Sequence, residues 1–254
     1  ASVRRYDLGV GRLLDGLQQR GLLDRTLIVC TTDHGLAFPG MKCNLTDHGI
    51  GVLLLMRGPG FRGGRVCDGL VSHLDIYPTL CEALGLATPA WLEGRSLLPM
   101  VRGECAQIHE AIFAEINFHA CYEPTRAVRT TRWKYLKRYG DRLLPTLPNC
   151  DNGPSKSAWM AAGWAARPLP AEALYDLVFD PTETHNLAAN PGHAPILAEM
   201  RQRLEAWMTR TADPLLAGPI APLSGSQLNY PEDPSPGSPQ YTVDDTRALQ
   251  SKPT

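Results

Sequence analysis

The sequence TLIVCTTDHG, residues 26–35, decides the fold class predicted for this chain. Its first part is an apolar, β-branched run, which predicts a buried strand, and it ends abruptly in Asp33, His34 and Gly35. Lys42 follows seven residues after Gly35. In open α/β sheets, ligands and metals gather at the carboxyl ends of the strands. The pattern therefore predicts a site in which an acid, an imidazole and a lysine follow one strand.

Asp33 and His34 are candidate metal ligands. A carboxylate oxygen suits a hard cation such as Ca²⁺ or Mg²⁺, whereas an imidazole better suits Mn²⁺ or Zn²⁺. Lys42 beside such a cation could neutralise the oxyanion of an ester that the cation also touches. Taken singly, Asp33 would equally suit a turn and Lys42 a solvated loop. Together they favour metal-assisted hydrolysis of a sulfate or phosphate ester.

Composition excludes several function classes. The 254 residues, 43% of them hydrophobic, suffice for one large or two modest globular domains. Because 25 Lys and Arg stand against 26 Asp and Glu, no basic field favours nucleic acid as a partner. No apolar run approaches the roughly 20 residues of a membrane span. The seven cysteines, irregularly spaced, argue against a disulfide framework or a zinc site.

Local patterns predict α/β structure first and antiparallel structure later. An amphipathic helix ends near Gly21, and strands at 26–32, 50–56 and 69–72 precede a helix at 75–84, which predicts the edge of a mainly parallel sheet. Strands at 111–116, within 126–139 and at 174–179 predict an antiparallel sheet, followed by a helix at 191–209. We expect domains at 1–104 and 105–216, and a Pro- and Ser-rich tail at 217–254 that wraps the fold or is disordered.

Two further histidines lie near the predicted site. His48 is in a second Asp-His-Gly, residues 47–49, which follows a loop rather than a strand. It is a candidate for the wall of the site and for substrate binding. His73 lies at a helix start, where Ser72 and Asp75 serve as caps, so we expect a structural role for this segment.

Several motifs, in order and spacing, resemble the carboxyl-side core of type I sulfatases in the alkaline-phosphatase-like superfamily. A block at 122–129 is similar to the branch that contains heparan N-sulfatase (sulfamidase). The resemblance covers residues 1 to about 216. The motifs are TTDHG at 31–35, Lys42, GIGVLLLMRGPG at 49–60, VSHLDIYPTL at 71–80, LEGRSLL at 92–98, LYDL at 174–177 and DPTETHNL at 180–187.

The resemblance implies an α/β fold, the carboxyl-terminal part of an alkaline-phosphatase-like mixed sheet sandwich, with a small antiparallel α+β subdomain. It implies that Asp33 and His34 bind a divalent metal, Ca²⁺ foremost, with Mg²⁺ or Mn²⁺ as alternatives. Lys42 matches a basic residue that contacts the sulfate. His119 falls in a segment that reaches the substrate pocket, and Arg126 is a weaker candidate for substrate binding. A sulfated small molecule or saccharide is the implied substrate.

The nucleophile that the resemblance implies is missing from these residues. Sulfatases attack sulfur with a formylglycine made from the Cys or Ser of a Cys/Ser-x-Pro-x-Arg motif, and no such motif occurs here. In the nearest imitation, at 121–126, the proline stands one position too late. We therefore expect a carboxyl-terminal part of a sulfatase, which by itself has no turnover and poor solubility. The alternatives are a phosphodiesterase or phosphonate hydrolase of the same superfamily, or a non-catalytic, truncated remnant.

Overall fold

The computed structural model describes residues 2–61 and 63–243, which divide into two compact units. Unit 1 comprises residues 1–32 and 53–110, and unit 2 comprises residues 33–52 and 111–254. The segment that follows the first strand, residues 33–52, therefore belongs to unit 2. Among the described residues, no helix combines the length and apolar character that a membrane crossing requires.

Unit 1 contains helices and a two-stranded sheet, whereas unit 2 is built on a four-stranded sheet. In chain order they are α1 (Ser2–Gln19), β1 (Ile28–Thr31), α2 (Asp47–Ile50), β2 (Leu54–Arg57), α3 (Ile76–Ala83), α4 (Leu98–Arg102), β3 (Ala111–Phe118), β4 (Tyr122–Thr130), β5 (Trp133–Arg138), α5 (Pro154–Ala161), β6 (Glu172–Asp176), α6 (Ala194–Arg210), β7 (Gln227–Leu228) and β8 (Tyr241–Thr242).

The two strands of unit 1 pair antiparallel, with Ile28 opposite Arg57 and Thr31 opposite Leu54. The prediction of a mainly parallel sheet is wrong for the described residues, whose sheets are all small and antiparallel. A continuous apolar run indicates burial on both faces but carries no information on strand direction. The segment predicted as a strand at 69–72 is irregular. Mixed α/β structure remains the correct coarse description.

The start of α3 confirms the predicted capping role of Ser72 and Asp75. The side chains and backbones of these two residues form a reciprocal capping box. Asp75 is fully buried, and its carboxylate also accepts hydrogen bonds from the backbone N–H of Arg95 at 2.8 Å and from the ring of His109 at 2.8 Å. Each oxygen of this buried acid is therefore satisfied within unit 1.

Unit 2 is a four-stranded antiparallel sheet in the order β3-β4-β5-β6. One face packs on an apolar stripe of α6: Val128, Tyr135 and Leu174 contact Leu197, Met200, Leu204 and Met208. The alternate residues Ala127, Leu136 and Ala173 pack with Leu45 on the other face. The sheet therefore has α6 on one face and residues of the 33–52 segment on the other.

The residues after α6 fold onto unit 2 rather than extending from it. Asp213 caps the next turn, Leu215 and Leu228 are buried, and β7 pairs with β8. The backbone N–H of Asn229 donates to the carbonyl oxygen of Ala120 at 2.8 Å. For residues up to 243, the wrapping alternative is the correct one; the remainder of the predicted tail lies outside the described residues.

A buried ionic network attaches the 33–52 segment to the sheet. The amine of Lys134, fully buried on β5, lies 2.9 Å from Oδ1 of Asp47 and 3.5 Å from Oε1 of Glu183. Arg129 on β4 donates to Oδ2 of Asp47 at 3.0 Å. Burial alone would raise the pKa of Asp47, but Lys134 and Arg129 outweigh it, so the pKa is lowered. A lowered carboxyl pKa stabilises the fold near neutral pH, and this contribution is lost on acidification.

We expect Lys134→Met to lower the free energy of unfolding by about 3–5 kcal/mol, because it leaves the buried carboxylate of Glu183 without its cation and leaves Asp47 with Arg129 alone. Urea unfolding at neutral pH measures this loss. The matched control is Lys137→Met on the same strand, where Lys137 is only partly buried and we expect a loss below about 1 kcal/mol. Equal losses in the two variants would contradict the role given to Lys134.

We expect the 254-residue chain to self-associate, because unit 1 leaves large apolar side chains exposed, including Leu13 at 71% and Leu55 at 59%. Light scattering should show a smaller particle for the double variant Leu13→Glu, Leu55→Glu. Leu223→Glu is the control, since Leu223 is 82% exposed but belongs to unit 2. A monodisperse wild-type chain would show that these side chains do not drive association.

Candidate active site

Asp33 and His34 follow β1 after one residue, Thr32, and are open to solvent, with side chains 85% and 39% exposed. The backbone N–H of His34 donates to Oδ1 of Asp33 at 3.0 Å, and Nε2 of His34 lies 3.4 Å from Oδ2. Nδ1 of His34 lies 2.7 Å from the carbonyl oxygen of Gly35. Because a carbonyl can only accept, Nδ1 carries a proton, and in the neutral ring the lone pair is on Nε2.

This donor set fits a pair of metal ligands. An imidazole whose Nδ1–H is held by a backbone carbonyl presents Nε2 as a ligand, and the carboxylate of Asp33 lies beside it. The pair is not a complete site: the described residues contain no group of three or more His, Cys, Asp or Glu that could hold a metal ion. Ca²⁺ takes 6–8 oxygen ligands, so further donors are required.

Gly35 allows the segment after these ligands to close tightly. Its N–H donates to the carbonyl oxygen of Gly49 at 2.9 Å, and a Cβ at Gly35 would lie 1.8 Å from the carbonyl oxygen of His48. Any side chain at position 35 would force the two ends of the 33–52 segment apart. Backbone packing therefore requires glycine at the third position of the Asp-His-Gly motif.

Lys42 forms an ion pair with Asp151, an acid that no sequence pattern identified as a candidate. Its Nζ lies 2.9 Å from Oδ1 of Asp151, and its side chain is only 14% exposed. Asp151 is about half exposed, so the pair lies at the surface of unit 2. Asp151 falls in the irregular, Pro- and Trp-bearing region after β5, where no periodicity or motif distinguishes it from a loop acid.

His119 lies at the β3–β4 turn and shares its electrostatic environment with the residues above. Burial lowers the pKa of His119, and the positive charge of Lys42 lowers it further, while Asp151 raises it and His34 lowers it. The structure therefore brings His119, Lys42, Asp151 and His34 into one electrostatically coupled group. Its members come from the two chain segments that follow β1 and β5 in the sequence, and from the turn between β3 and β4.

The segment 147–151 contacts both Lys42 and the turn that carries His119. Oδ1 of the buried Asn149 accepts hydrogen bonds from the backbone N–H groups of Ala120 at 3.0 Å and Cys121 at 3.1 Å, directly after His119. Two residues further on, Asp151 pairs with Lys42. The buried amine of Lys156 secures the segment by donating to the carbonyl oxygens of residues 147 and 150. Asn149 and Lys156 were also missed, since a side chain that binds backbone leaves no sequence pattern.

His48 is exposed in α2 of unit 2, next to Asp47 of the ionic network. Its placement on the 33–52 segment keeps it a candidate for the wall of the site. Arg126 is different, because its side chain is fully buried. Its Nε and Nη2 donate to both carboxylate oxygens of Asp213, at 2.6 and 2.9 Å. The expectation that Arg126 binds substrate is therefore corrected: its guanidinium ties β4 to the end of α6.

All seven cysteines are free thiols. Burial raises the pKa of Cys43 and of Cys121, each to about 12. Neither thiol is therefore a thiolate near neutral pH, and neither is suited to act as the nucleophile.

Comparison with known proteins identifies the relatives of this chain. The Sulfatase family model matches residues 1–86. N-sulphoglucosamine sulphohydrolase of Homo sapiens is 30% identical over 246 residues, covering 86% of this chain and 48% of the relative. The chain thus spans about half the length of that curated relative.

Two solved structures extend the likeness to the fold. A 2-O GAG sulfatase is 28% identical to this chain, with a TM-score of 0.63; the match covers 82% of this chain and 41% of the sulfatase chain. A phosphonate monoester hydrolase of Agrobacterium radiobacter is 28% identical with a TM-score of 0.60, covering 83% of this chain and 40% of its own.

The electrostatic coupling of His119 can be measured. Because the charge of Lys42 lowers the pKa of His119, we expect Lys42→Met to raise that pKa, and Asp151→Asn to lower it further. Titration of the histidine ring protons by NMR gives both shifts, with Lys137→Met as the control that leaves the His119 titration in place. A His119 pKa that does not respond to either variant would show that these groups do not face one another.

Proposed function

Because this chain belongs to the sulfatase family, we propose that it forms the carboxyl-side part of a metal-dependent hydrolase that removes sulfate groups from sugars. The observation that carries the proposal is the grouping in unit 2 of the Asp33–His34 pair with Lys42, Asp151 and His119. This arrangement combines two metal-competent side chains, a paired lysine and an imidazole, which is a donor set suited to an anionic ester.

Asp33 and His34 would hold the metal, through a carboxylate oxygen and through Nε2. A divalent metal such as Ca²⁺ and a formylglycine would together supply polarisation of the sulfate and the nucleophile. The Cys/Ser-x-Pro-x-Arg motif is absent from the 254 residues, so the proposed reaction requires a nucleophile from outside them. By the same reasoning, the 254-residue chain alone should show no turnover.

Lys42 would contribute positive charge to the sulfate oxygens. Its amine is held by Asp151 and its side chain is largely buried, so little reorganisation is needed to orient it. His119 would donate a proton to the departing alcohol or amine. Because burial and the charge of Lys42 lower its pKa, the ring is neutral near neutral pH. It would therefore first take up the proton that the attacking nucleophile releases and then transfer that proton to the leaving group.

The substrate class that we propose is a sulfated saccharide, with N-sulfated glucosamine foremost. The relatives support this by what their names state: one is an N-sulphoglucosamine sulphohydrolase and another a 2-O GAG sulfatase. The second candidate function is hydrolysis of a phosphonate or phosphate diester. The similarity to a phosphonate monoester hydrolase supports it, since a divalent metal and a lysine suit either anion.

The deciding experiment is to sequence the coding DNA upstream of Ala1 and search it for Cys/Ser-x-Pro-x-Arg. The protein that contains both the upstream region and these 254 residues is then assayed. We expect the motif in frame and release of inorganic sulfate from N-sulfoglucosamine, abolished by chelation of the divalent metal. Cleavage of phosphonate monoesters without sulfate release would favour the second candidate. A start codon and no motif would favour a non-catalytic remnant and overturn the proposal.

In that protein we expect Lys42→Met to lower kcat by on the order of 10²-fold or more, as the loss of a single oxyanion donor does. Lys42→Arg should retain part of the rate, since it keeps the charge but alters the geometry. Lys137→Met, on β5 and outside the candidate site, is the matched control and should be unaffected. An unchanged kcat in Lys42→Met would remove Lys42 from the mechanism.

A further inference from the structure

Unit 2 contains a cavity of about 460 Å³ that the proposed hydrolysis does not use. It lies between the start of β4, the chain that follows β5, and the residues after α6, including β8. Its volume is within the range of roughly 300–1,000 Å³ that small-molecule sites occupy. The chain after α6 therefore helps to enclose a space of ligand size.

The charged groups of this cavity leave no excess of positive charge. Nη1 of Arg142 lies 2.5 Å from Oε1 of Glu232, and the positive charge of Arg138 acts on Glu123. Asp141 adds a third carboxyl group to the lining. Because two guanidinium groups stand against three carboxyl groups, a free sulfate meets no unopposed positive charge. The lining thus favours a ligand without net charge.

Two further features point to a ligand with hydroxyl groups. Nε of Arg142 is buried and, within the part of the chain that the structure describes, has no hydrogen-bond partner. The hydrogen-bonding capacity of this guanidinium is therefore not fully used within the chain. Tyr122 and Tyr241 add aromatic surface to the lining, and such rings offer an apolar face beside a polar group.

We propose that this cavity binds a neutral, hydroxyl-rich ring, that is, an unsulfated sugar unit. The C–H faces of the ring contact Tyr122 and Tyr241, and its hydroxyl groups bond to the paired groups around Arg142. The cavity is joined to the candidate active site through Glu123, which accepts a hydrogen bond from Asn149 at 2.8 Å. Asn149 in turn holds the turn after His119. The proposal does not rest on the hydrolytic activity, since binding is measured without turnover.

Burial raises the pKa of Glu123 to about 7. The carboxyl group is therefore partly protonated near neutral pH and can donate as well as accept a hydrogen bond, as a hydroxyl-bearing ligand requires.

The test is saturation-transfer difference NMR on the 254-residue chain with N-acetylglucosamine as the probe. We expect a saturable signal with a millimolar Kd, and at least about tenfold weaker binding in Arg142→Met. Arg167→Met is the matched control, since Arg167 is exposed and does not line the cavity; its affinity should be unchanged. Glu232→Gln provides a second, milder disruption of the same pair if Arg142→Met fails to fold.

Three results would overturn the proposal. One is no saturable signal for the wild-type chain, and another is equal affinity in the wild type and in both cavity variants. The third is displacement of the sugar by equimolar inorganic sulfate, which would show an anion site instead. Each is independent of whether the sulfatase assay succeeds, so failure here and failure of the proposed function are distinguishable.

Discussion

Unit 2 depends on the ion pairs that the buried amine of Lys134 forms. This amine joins Asp47, in the segment that carries the candidate metal ligands, to Glu183, in the turn after β6. Arg129 reinforces the same carboxylate from β4. Without this network, the face of the sheet formed by Ala127, Leu136 and Ala173 would be covered by little more than Leu45 and its neighbours. An ionic anchor thus replaces the large apolar contact that α6 provides on the opposite face.

A buried ionic anchor has consequences for the site. Ion pairs away from water have strict geometric requirements, because a displaced partner leaves an uncompensated charge. The 33–52 segment is short of regular structure, having only one helical turn, yet Asp47, Leu45 and the Gly35–Gly49 contact fix its position within unit 2. The 147–151 segment is fixed comparably, by Lys156 and Asn149. Both irregular segments of the candidate site are therefore held by buried polar groups rather than by helices or strands.

The contrast between regular elements and irregular segments explains which residues could be predicted from the sequence. Asp33, His34 and Lys42 stand in a recognisable order after a strand, and Ser72 and Asp75 form a capping signature. No periodicity marks the region that contains Asp151, Asn149 and Lys156. The partner of Asp151 is more than 100 residues away in the sequence. Asn149 and Lys156 bind backbone atoms. Arg126 was misjudged because a guanidinium in a strand has the same sequence signal whether it meets a substrate or, as here, a buried aspartate.

The sequence by itself determined the apolar strand that precedes Asp33, the helices α1, α3 and α6, the antiparallel character of residues after 111 and the family to which the chain belongs. These depend on local periodicity, on capping residues and on motif order, all of which are readable along the chain. Tertiary structure alone decided the direction of β2 against β1, the assignment of residues 33–52 to unit 2, and the pairing of Lys42 with Asp151. The physical reason is that each of these depends on which distant segment satisfies a backbone or a charge, and local periodicity carries no information about distant partners.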